Sequence, residues 1–306
     1  MIRRFCPKCR RMYALEGACP ADGTPLRPLP SAYPDVGRAL DSDAILVSHL
    51  ADGGMSRIYV ARLVGREEPV AVKILAPKFG SDEPAVERYY REARMNQLLD
   101  HKNVVDVIRY GMSEEGHHTI VMELLQGKSL GDELDALGTL PWRRAVYIAL
   151  ELAAALGHAH GRRVIHRDIK PDNVQLIGEP GREEEVRLLD FGVAYYAADL
   201  TFSGPAPGST GVSGTPAYMS PEQVRGKPID HRSDIFGLGV IAHEMVAGRR
   251  LFLGESDFST LQRVRKADVR PLTLDRDDVE EEFSDAVLGA LKRDPKSRYS
   301  DASDFA

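Results

Sequence analysis

From Ala44 onward the chain alternates short apolar runs rich in β-branched residues with turns. ILVSHL at residues 45 to 50, RIYVARL at residues 57 to 63 and PVAVKIL at residues 69 to 75 predict three antiparallel strands. Residues 84 to 100 change period, with apolar and charged positions three and four apart, and predict a helix. Two further strand-like runs follow, VVDVIRYG at residues 104 to 111 and HHTIVMEL at residues 117 to 124. These elements make an expected five-stranded antiparallel sheet with one long helix. After Gly127 the character becomes helical. WRRAVYIALELAAALGHAHG at residues 142 to 161 and DIFGLGVIAHEMVAG at residues 234 to 248 read as long helices, and the second is apolar on nearly every face, which predicts burial.

Residues 1 to 30 break this pattern. They are rich in Cys, Pro and Arg, and SAYPDVG at residues 31 to 37 reads as the start of a linker extending to residue 43, because proline and glycine interrupt regular structure. Arg3, Arg4, Lys8, Arg10, Arg11 and Arg27 against Glu16 and Asp22 give this segment +4, which leaves about −10 for a chain whose formal net charge is −6. That balance argues against a nucleic-acid partner. Over the whole chain, 43% hydrophobic and 28% charged residues are ordinary for a globular protein of 306 residues, whose length suggests two domains or lobes. The longest apolar stretch, near residues 147 to 157, is interrupted by Glu151 and falls short of the ~20 residues a membrane span needs. Arg3 and Arg4 lead into Cys6-Pro7-Lys8-Cys9 instead of an apolar run, so no secretory signal is expected and the protein is expected to be cytoplasmic.

All three cysteines lie within the first nineteen residues. Cys6 and Cys9, spaced as C-x2-C, and Cys19 and Asp22, at the same spacing, offer three thiolates and a carboxylate to a tetrahedral zinc ion. A metal-free tail is the alternative. Elsewhere, His117 and His118 in a turn and the Glu183 to Glu185 run read as solvated surface, and Trp142 after Pro141 reads as packing at a helix start.

The chemistry concentrates in HRDIKPDN at residues 166 to 173. Phosphoryl transfer requires a held triphosphate, metal ions that neutralise it and a carboxylate that orients the acceptor hydroxyl. One loop supplies Asp168 as that carboxylate, Lys170 as a cation for the migrating group and Asn173 as a neutral metal ligand. Seventeen residues later Asp190-Phe191-Gly192 offers an oxygen ligand for magnesium. With these motifs, the chain from residue 44 to 306 resembles the eukaryotic-like serine/threonine protein kinases, particularly their bacterial branch. The resemblance implies an α+β, bilobal protein-kinase fold, with an N-lobe over residues 44 to 124 and a mainly helical C-lobe over residues 125 to 306 whose last helix is truncated. It also implies ATP and Mg2+ as cofactors and proteins with Ser or Thr acceptors as substrates.

By the same resemblance, VAVK at residues 70 to 73 places Ala71 and Lys73 at the nucleotide, with Lys73 on the α- and β-phosphates and ion-paired to Glu92. Leu50, Ala51, Asp52, Gly53, Gly54, Met55, Ser56, Arg57 and Ile58 correspond to the glycine-rich phosphate loop. Ala51 and Ser56 replace its first and third glycines, while Gly53 keeps the central one, where backbone must approach phosphate closely. Met122 is implied at the back of the adenine pocket, with Glu123 and Leu125 offering backbone hydrogen bonds to the base. Asn96, four residues after Glu92, stands where the family usually has an apolar residue.

GTPAYMSPE at residues 214 to 222 resembles the end of an activation segment. Thr215 is implied to contact Asp168 and Lys170 and so to select Ser or Thr acceptors, Ser220 replaces the family's usual alanine, and Glu222 is implied to pair with Arg298. Arg167, beside Asp168, predicts ordering by a phosphate on the segment, at Ser209 or Thr210 ahead of Thr201, Ser203 and Ser213. Autophosphorylation in trans would make a second copy a transient partner. CPKC and CPADGTPL resemble short zinc ribbons that precede some bacterial kinase domains. Two rivals are a pseudokinase that binds nucleotide as a scaffold, and a small-molecule phosphotransferase. The intact Lys73, Glu92, Asp168, Lys170, Asn173 and Asp190 oppose the first, and GTPAYMSPE opposes the second.

Overall fold

The computed structural model describes residues 4–6, 12–13, 17–28, 36–180, 183–191, 195–196 and 216–305. The chain divides into two compact units, Met1–Gln97 with Asp106–Leu125, and Leu98–Val105 with Gln126–Ala306.

Near the N-terminus of the first unit, β1 (Arg4–Phe5) pairs antiparallel with both β2 (Met12–Tyr13) and β3 (Arg27–Pro28). Cys6, Cys19 and Leu26 form a small buried cluster beside these strands. The main sheet runs in the order β4 (Ala39–Asp41), β5 (Ala44–Asp52), β6 (Ser56–Leu63), β7 (Val70–Leu75), β9 (His118–Glu123), β8 (Val107–Met112), and every neighbour is antiparallel. Five of these strands match the apolar runs. The sixth, β4, lies in the stretch expected to be a linker, and with Leu40 as its only fully buried apolar side chain it is too short to show a period. Arg109 on β8 fastens the β4–β5 turn, donating to both carboxylate oxygens of Asp43 at 2.8 Å and to Asp41 at 3.3 Å.

Helix α1 (Glu83–Gln97) buries Ala85, Tyr89, Glu92, Ala93 and Asn96, a stripe at helical spacing. His118 is not the solvated surface residue expected. It is half-buried, bonded to the Tyr90 hydroxyl at 2.8 Å and to the Gly80 carbonyl at 3.3 Å.

The second unit is mainly helical. Its helices are α2 (Leu130–Leu137), α3 (Trp142–Gly161), α4 (Pro221–Val224), α5 (Arg232–Ala247), α6 (Asp257–Lys266) and α7 (Glu281–Ala290). The α3 bounds coincide with the predicted helix, and Trp142 is its first residue. In α5, every residue from Ser233 to Val246 is buried, as the all-round apolar pattern requires. Two small antiparallel sheets complete the unit. One joins β10 (Gly127–Ser129), β12 (Val174–Ile177) and β13 (Glu185–Leu188), and the other joins β11 (Val164–Ile165) to β14 (Tyr195–Tyr196). Among the described residues no helix is long and apolar enough to cross a membrane.

The glutamate run at residues 183 to 185 also departs from expectation. Glu184 is only 7% exposed and takes a forked bond from Arg144, whose other arm reaches Glu133 at 2.8 Å. One buried guanidinium thus serves two buried carboxylates, tying α2 and α3 to the start of β13. Removing it would leave Glu184 uncompensated and Glu133 with only Lys128, 3.8 Å away. Arg144→Met is predicted to lower the unfolding free energy by about 3 kcal/mol, read as a fall in the urea midpoint; an unchanged midpoint would show that the two carboxylates do not depend on Arg144.

Candidate active site

The loop at residues 166 to 173 is built around a buried carboxylate that the sequence did not single out. Asp234, in the first turn of α5, is 1% exposed. Its Oδ2 accepts from the His166 amide at 2.8 Å and from the His160 ring at 2.9 Å, and its Oδ1 accepts from the Arg167 amide at 2.8 Å. Burial works against the charge, but the His160 hydrogen bond and the neighbouring imidazoles outweigh it and hold the Asp234 carboxyl below the usual aspartate range. Three donors on two oxygens fix the backbone of residues 166 and 167.

Arg167 then adopts a left-handed conformation, with φ of 69°, and its carbonyl accepts from the Gln223 side-chain Nε2 at 2.9 Å. A non-glycine residue holds this shape only when its surroundings enforce it, and here both sides of the residue are tied. Gln223 is itself fixed by a capping box on α4, in which Ser220 Oγ accepts from the Gln223 amide and Gln223 Oε1 accepts from the Ser220 amide. Ser220, the departure from the family's alanine, therefore starts this short helix.

The His166 ring bridges forward. One nitrogen meets the Leu189 carbonyl at 2.9 Å, and the other meets the Asp168 amide at 3.2 Å. A carbonyl only accepts and an amide only donates, so the proton sits on Nε2. The Leu189 amide returns a bond to the Asn173 carbonyl at 2.8 Å. These bonds join the 166 to 173 loop to the strand end that leads into Asp190. Asp190 also has positive φ, 52°, and Phe191 after it is fully buried with its ring 4.5 Å from that of His166.

Asp168, Lys170 and Asn173 meet as the sequence predicts. Lys170 Nζ lies 2.7 Å from Asp168 Oδ2, and Asn173 Nδ2 donates to the Asp168 carbonyl at 2.8 Å and to Oδ2 at 3.3 Å. With its nitrogen so engaged, Asn173 has Oδ1 as its remaining side-chain acceptor. Glu222 and Arg298 also meet as predicted, as a buried fork with distances of 2.7 and 2.8 Å, and Ser233 adds a third bond to Glu222.

Within the first unit, Lys73 on β7 and Glu92 on α1 form an ion pair of 2.5 Å, each residue 8% exposed. The Tyr89 hydroxyl, one turn earlier, donates to the Lys73 carbonyl at 2.6 Å, so α1 is tied to β7 twice. The β5–β6 hairpin carries the predicted phosphate loop. Ala51 pairs with Ile58 and Asp52 with Arg57, and Gly53 closes the turn by donating to the Ser56 carbonyl at 2.8 Å. A Cβ at Gly53 would stand 3.3 Å from that oxygen, a tight contact that a side chain there would have to relieve by a small shift. Ala51 and Ser56 lie in paired strand positions that accept a side chain, so their departure from glycine leaves the hairpin intact. Leu50 and Asp52 to Gly54 are exposed, Met55 and Ile58 half-buried and Arg57 exposed. Ala71 is buried and pairs with Met122, while Glu123 ends β9 and Leu125 follows it, half-buried.

Near the N-terminus, Cys6, Cys19 and Asp22 bring their ligand atoms within 4.8 Å of one another. Backbone and side-chain hydrogen bonds from Thr24 hold the Asp22 carboxyl well below the usual range. Cys9, Thr215 and the candidate phosphosites Thr201, Ser203, Ser209, Thr210 and Ser213 lie outside the described residues.

The protein kinase domain family matches residues 45–305. The chain belongs to the protein kinase family. It is 37% identical over 261 residues to serine/threonine-protein kinase pkn3 of Myxococcus xanthus, covering 84% of this chain and 47% of that protein. It is 36% identical over 266 residues to serine/threonine-protein kinase PknL of Mycobacterium tuberculosis, covering 86% and 64%. It is 32% identical over 270 residues to serine/threonine-protein kinase PrkC of Bacillus subtilis, covering 88% and 40%. The chain thus spans between 40 and 64% of the length of these relatives. The kinase family implies use of ATP and Mg2+, and the scaffold alternative is not favoured.

Sequence reasoning missed Asp234, His160 and Gln223. A carboxylate in the first turn of a largely apolar buried helix was the available signal for Asp234.

The Glu222–Arg298 fork has a pH signature. Burial raises the Glu222 pKa, but the Arg298 hydrogen bonds and charge overcome it, so the folded value lies below the unfolded one. Its stabilising contribution is complete above the unfolded glutamate pKa, ~4.3, and is lost as pH falls through the lower folded value. Glu222→Gln is predicted to flatten the acid limb of a stability–pH profile below that point, and an unaltered limb would refute the assignment.

Proposed function

We propose that this chain is an ATP- and magnesium-dependent protein kinase that transfers the γ-phosphoryl group to serine or threonine hydroxyls of proteins. The observation that carries this reading is the convergence of Asp168, Lys170 and Asn173 in one loop. Similarity to named serine/threonine-protein kinases supports it.

Asp168 accepts a hydrogen bond from the acceptor hydroxyl and aims its oxygen at the phosphorus, taking the proton as the new bond forms. Lys170, paired to Asp168 before substrate arrives, offers its charge to the phosphoryl oxygens. Asn173 Oδ1 and the Asp190 carboxylate are the magnesium ligands, and the metal neutralises the triphosphate when bound. Lys73, oriented by Glu92, grips the α- and β-phosphates. The hairpin from Leu50 to Ile58 covers the phosphates, Ala71 and Met122 contact the base, and Glu123 and Leu125 offer it backbone hydrogen bonds. Thr215 completes the acceptor site beside Asp168 and Lys170.

The domain reading that accompanies this proposal is a zinc ribbon over residues 1 to 30, a linker, and the kinase domain from residue 44. Cys6, Cys9, Cys19 and Asp22 bind one structural zinc, and the reduced thiols this needs suit the cytoplasm. Activity is regulated by autophosphorylation in trans at Ser209 or Thr210 within a transient dimer.

Incubation with labelled ATP and magnesium is predicted to label the wild-type chain and to leave Asp168→Asn unlabelled; absence of label from both would favour a nucleotide-binding scaffold. Phosphopeptide mapping should find the label at Ser209 or Thr210, and an active enzyme unmodified from residue 192 to 220 would refute that mode of control. Metal analysis of purified protein should find one zinc per chain, lost in Cys6→Ser, whereas a zinc-free wild type would refute the ribbon.

A further inference from the structure

Helix α1 carries Glu92 to Lys73, and its next turn carries an anomaly. Asn96 is 5% exposed, on the same buried stripe as Tyr89, Glu92 and Ala93. Its Nδ2 donates to the Glu92 carbonyl at 3.1 Å. Its Oδ1 is fully buried and accepts no hydrogen bond among the described residues. The first contact adds little, because the carbonyl four residues back in a helix is already the acceptor for the backbone amide of residue 96. The second is a cost, since a buried acceptor without a donor forfeits its hydration with nothing in return.

This cost belongs to the position of α1 in which Lys73 and Glu92 meet. A shift or rotation of α1 that brought Asn96 Oδ1 to water would remove it, and would carry Glu92, one turn away on the same face, off Lys73. We infer that Asn96 is a positioning residue that makes the Lys73–Glu92 contact conditional. It biases the resting population of α1 away from the paired position, so that nucleotide or a modification that favours the pair gains leverage over activity. The inference rests on the kinase reading for its effect on catalysis, but its effect on α1 stands apart from that reading.

Asn96→Leu tests it, because leucine keeps the branched heavy-atom skeleton and removes both polar atoms. Hydrogen exchange over residues 83 to 97 of the full chain, without nucleotide, should show protection rising about fivefold to tenfold in Asn96→Leu, the factor expected when one buried unpaired acceptor is removed. Asn96→Asp, which makes the same buried site anionic, should lower it. In the labelled-ATP assay Asn96→Leu should lower KM for ATP and raise initial autophosphorylation about threefold or more, with kcat of the fully phosphorylated enzyme unchanged, as a population shift before chemistry requires. A purely structural residue would alter melting temperature without this split between KM and kcat. Equal or lower α1 protection in Asn96→Leu would overturn the inference even if the enzyme is active. Raised protection in a chain that transfers no phosphate would uphold the bias on α1 and refute the kinase reading instead.

Discussion

Asp234 brings a carboxylate into the interior of the helical unit, and the catalytic loop is shaped by the need to satisfy it. A buried anion is tolerated only where donors surround it. The donors here are the backbone amides of His166 and Arg167 and the ring of His160. Fixing those two amides forces Arg167 into its left-handed turn, and that turn delivers Asp168 to Lys170 and Asn173. The His166 ring passes the constraint to Leu189 and so to the strand end before Asp190. A series of obligatory hydrogen bonds, starting from one residue of α5, thereby sets the positions on which the proposed phosphoryl transfer depends.

Buried polar groups are satisfied to different degrees at these sites. Around Asp234 and Glu222 every carboxylate oxygen has a donor, and such full satisfaction gives rigidity. Around Lys73 and Glu92 the ion pair is equally buried, but the helix that carries Glu92 also buries the unpaired oxygen of Asn96. On the proposed reading the acceptor side is tied by satisfied bonds, and the inferred effect of Asn96 opposes the Lys73–Glu92 pair.

Much of this was legible in the sequence because it is local. The strand runs in the first unit and the helix at residues 142 to 161 follow from apolar period alone, and Asp168, Lys170 and Asn173 lie within six residues of one another, so their spacing already implied convergence. What escaped was long-range or short. Asp234 meets Arg167 across 67 positions and sits in a segment that reads as apolar on nearly every face. Gln223 meets Arg167 across 56 positions. Glu184 looked like part of an exposed acidic run because nothing nearby in sequence announces Arg144, and β4 has too few residues to display a period. Patterns report which face of an element is buried, but not which distant donor will meet a buried charge.

The measurement that bears most directly on this account is the activity of Asp234→Asn. An asparagine presents one acceptor and one donor to three converging N–H groups, so at least one bond turns repulsive and the loop must shift. Phosphoryl transfer is then expected to fall by about a hundredfold or more, the scale of a misplacement near 1 Å at the reacting group, while ATP affinity stays within about threefold. Retention of near wild-type transfer by Asp234→Asn would contradict the claim that this carboxylate sets the catalytic geometry.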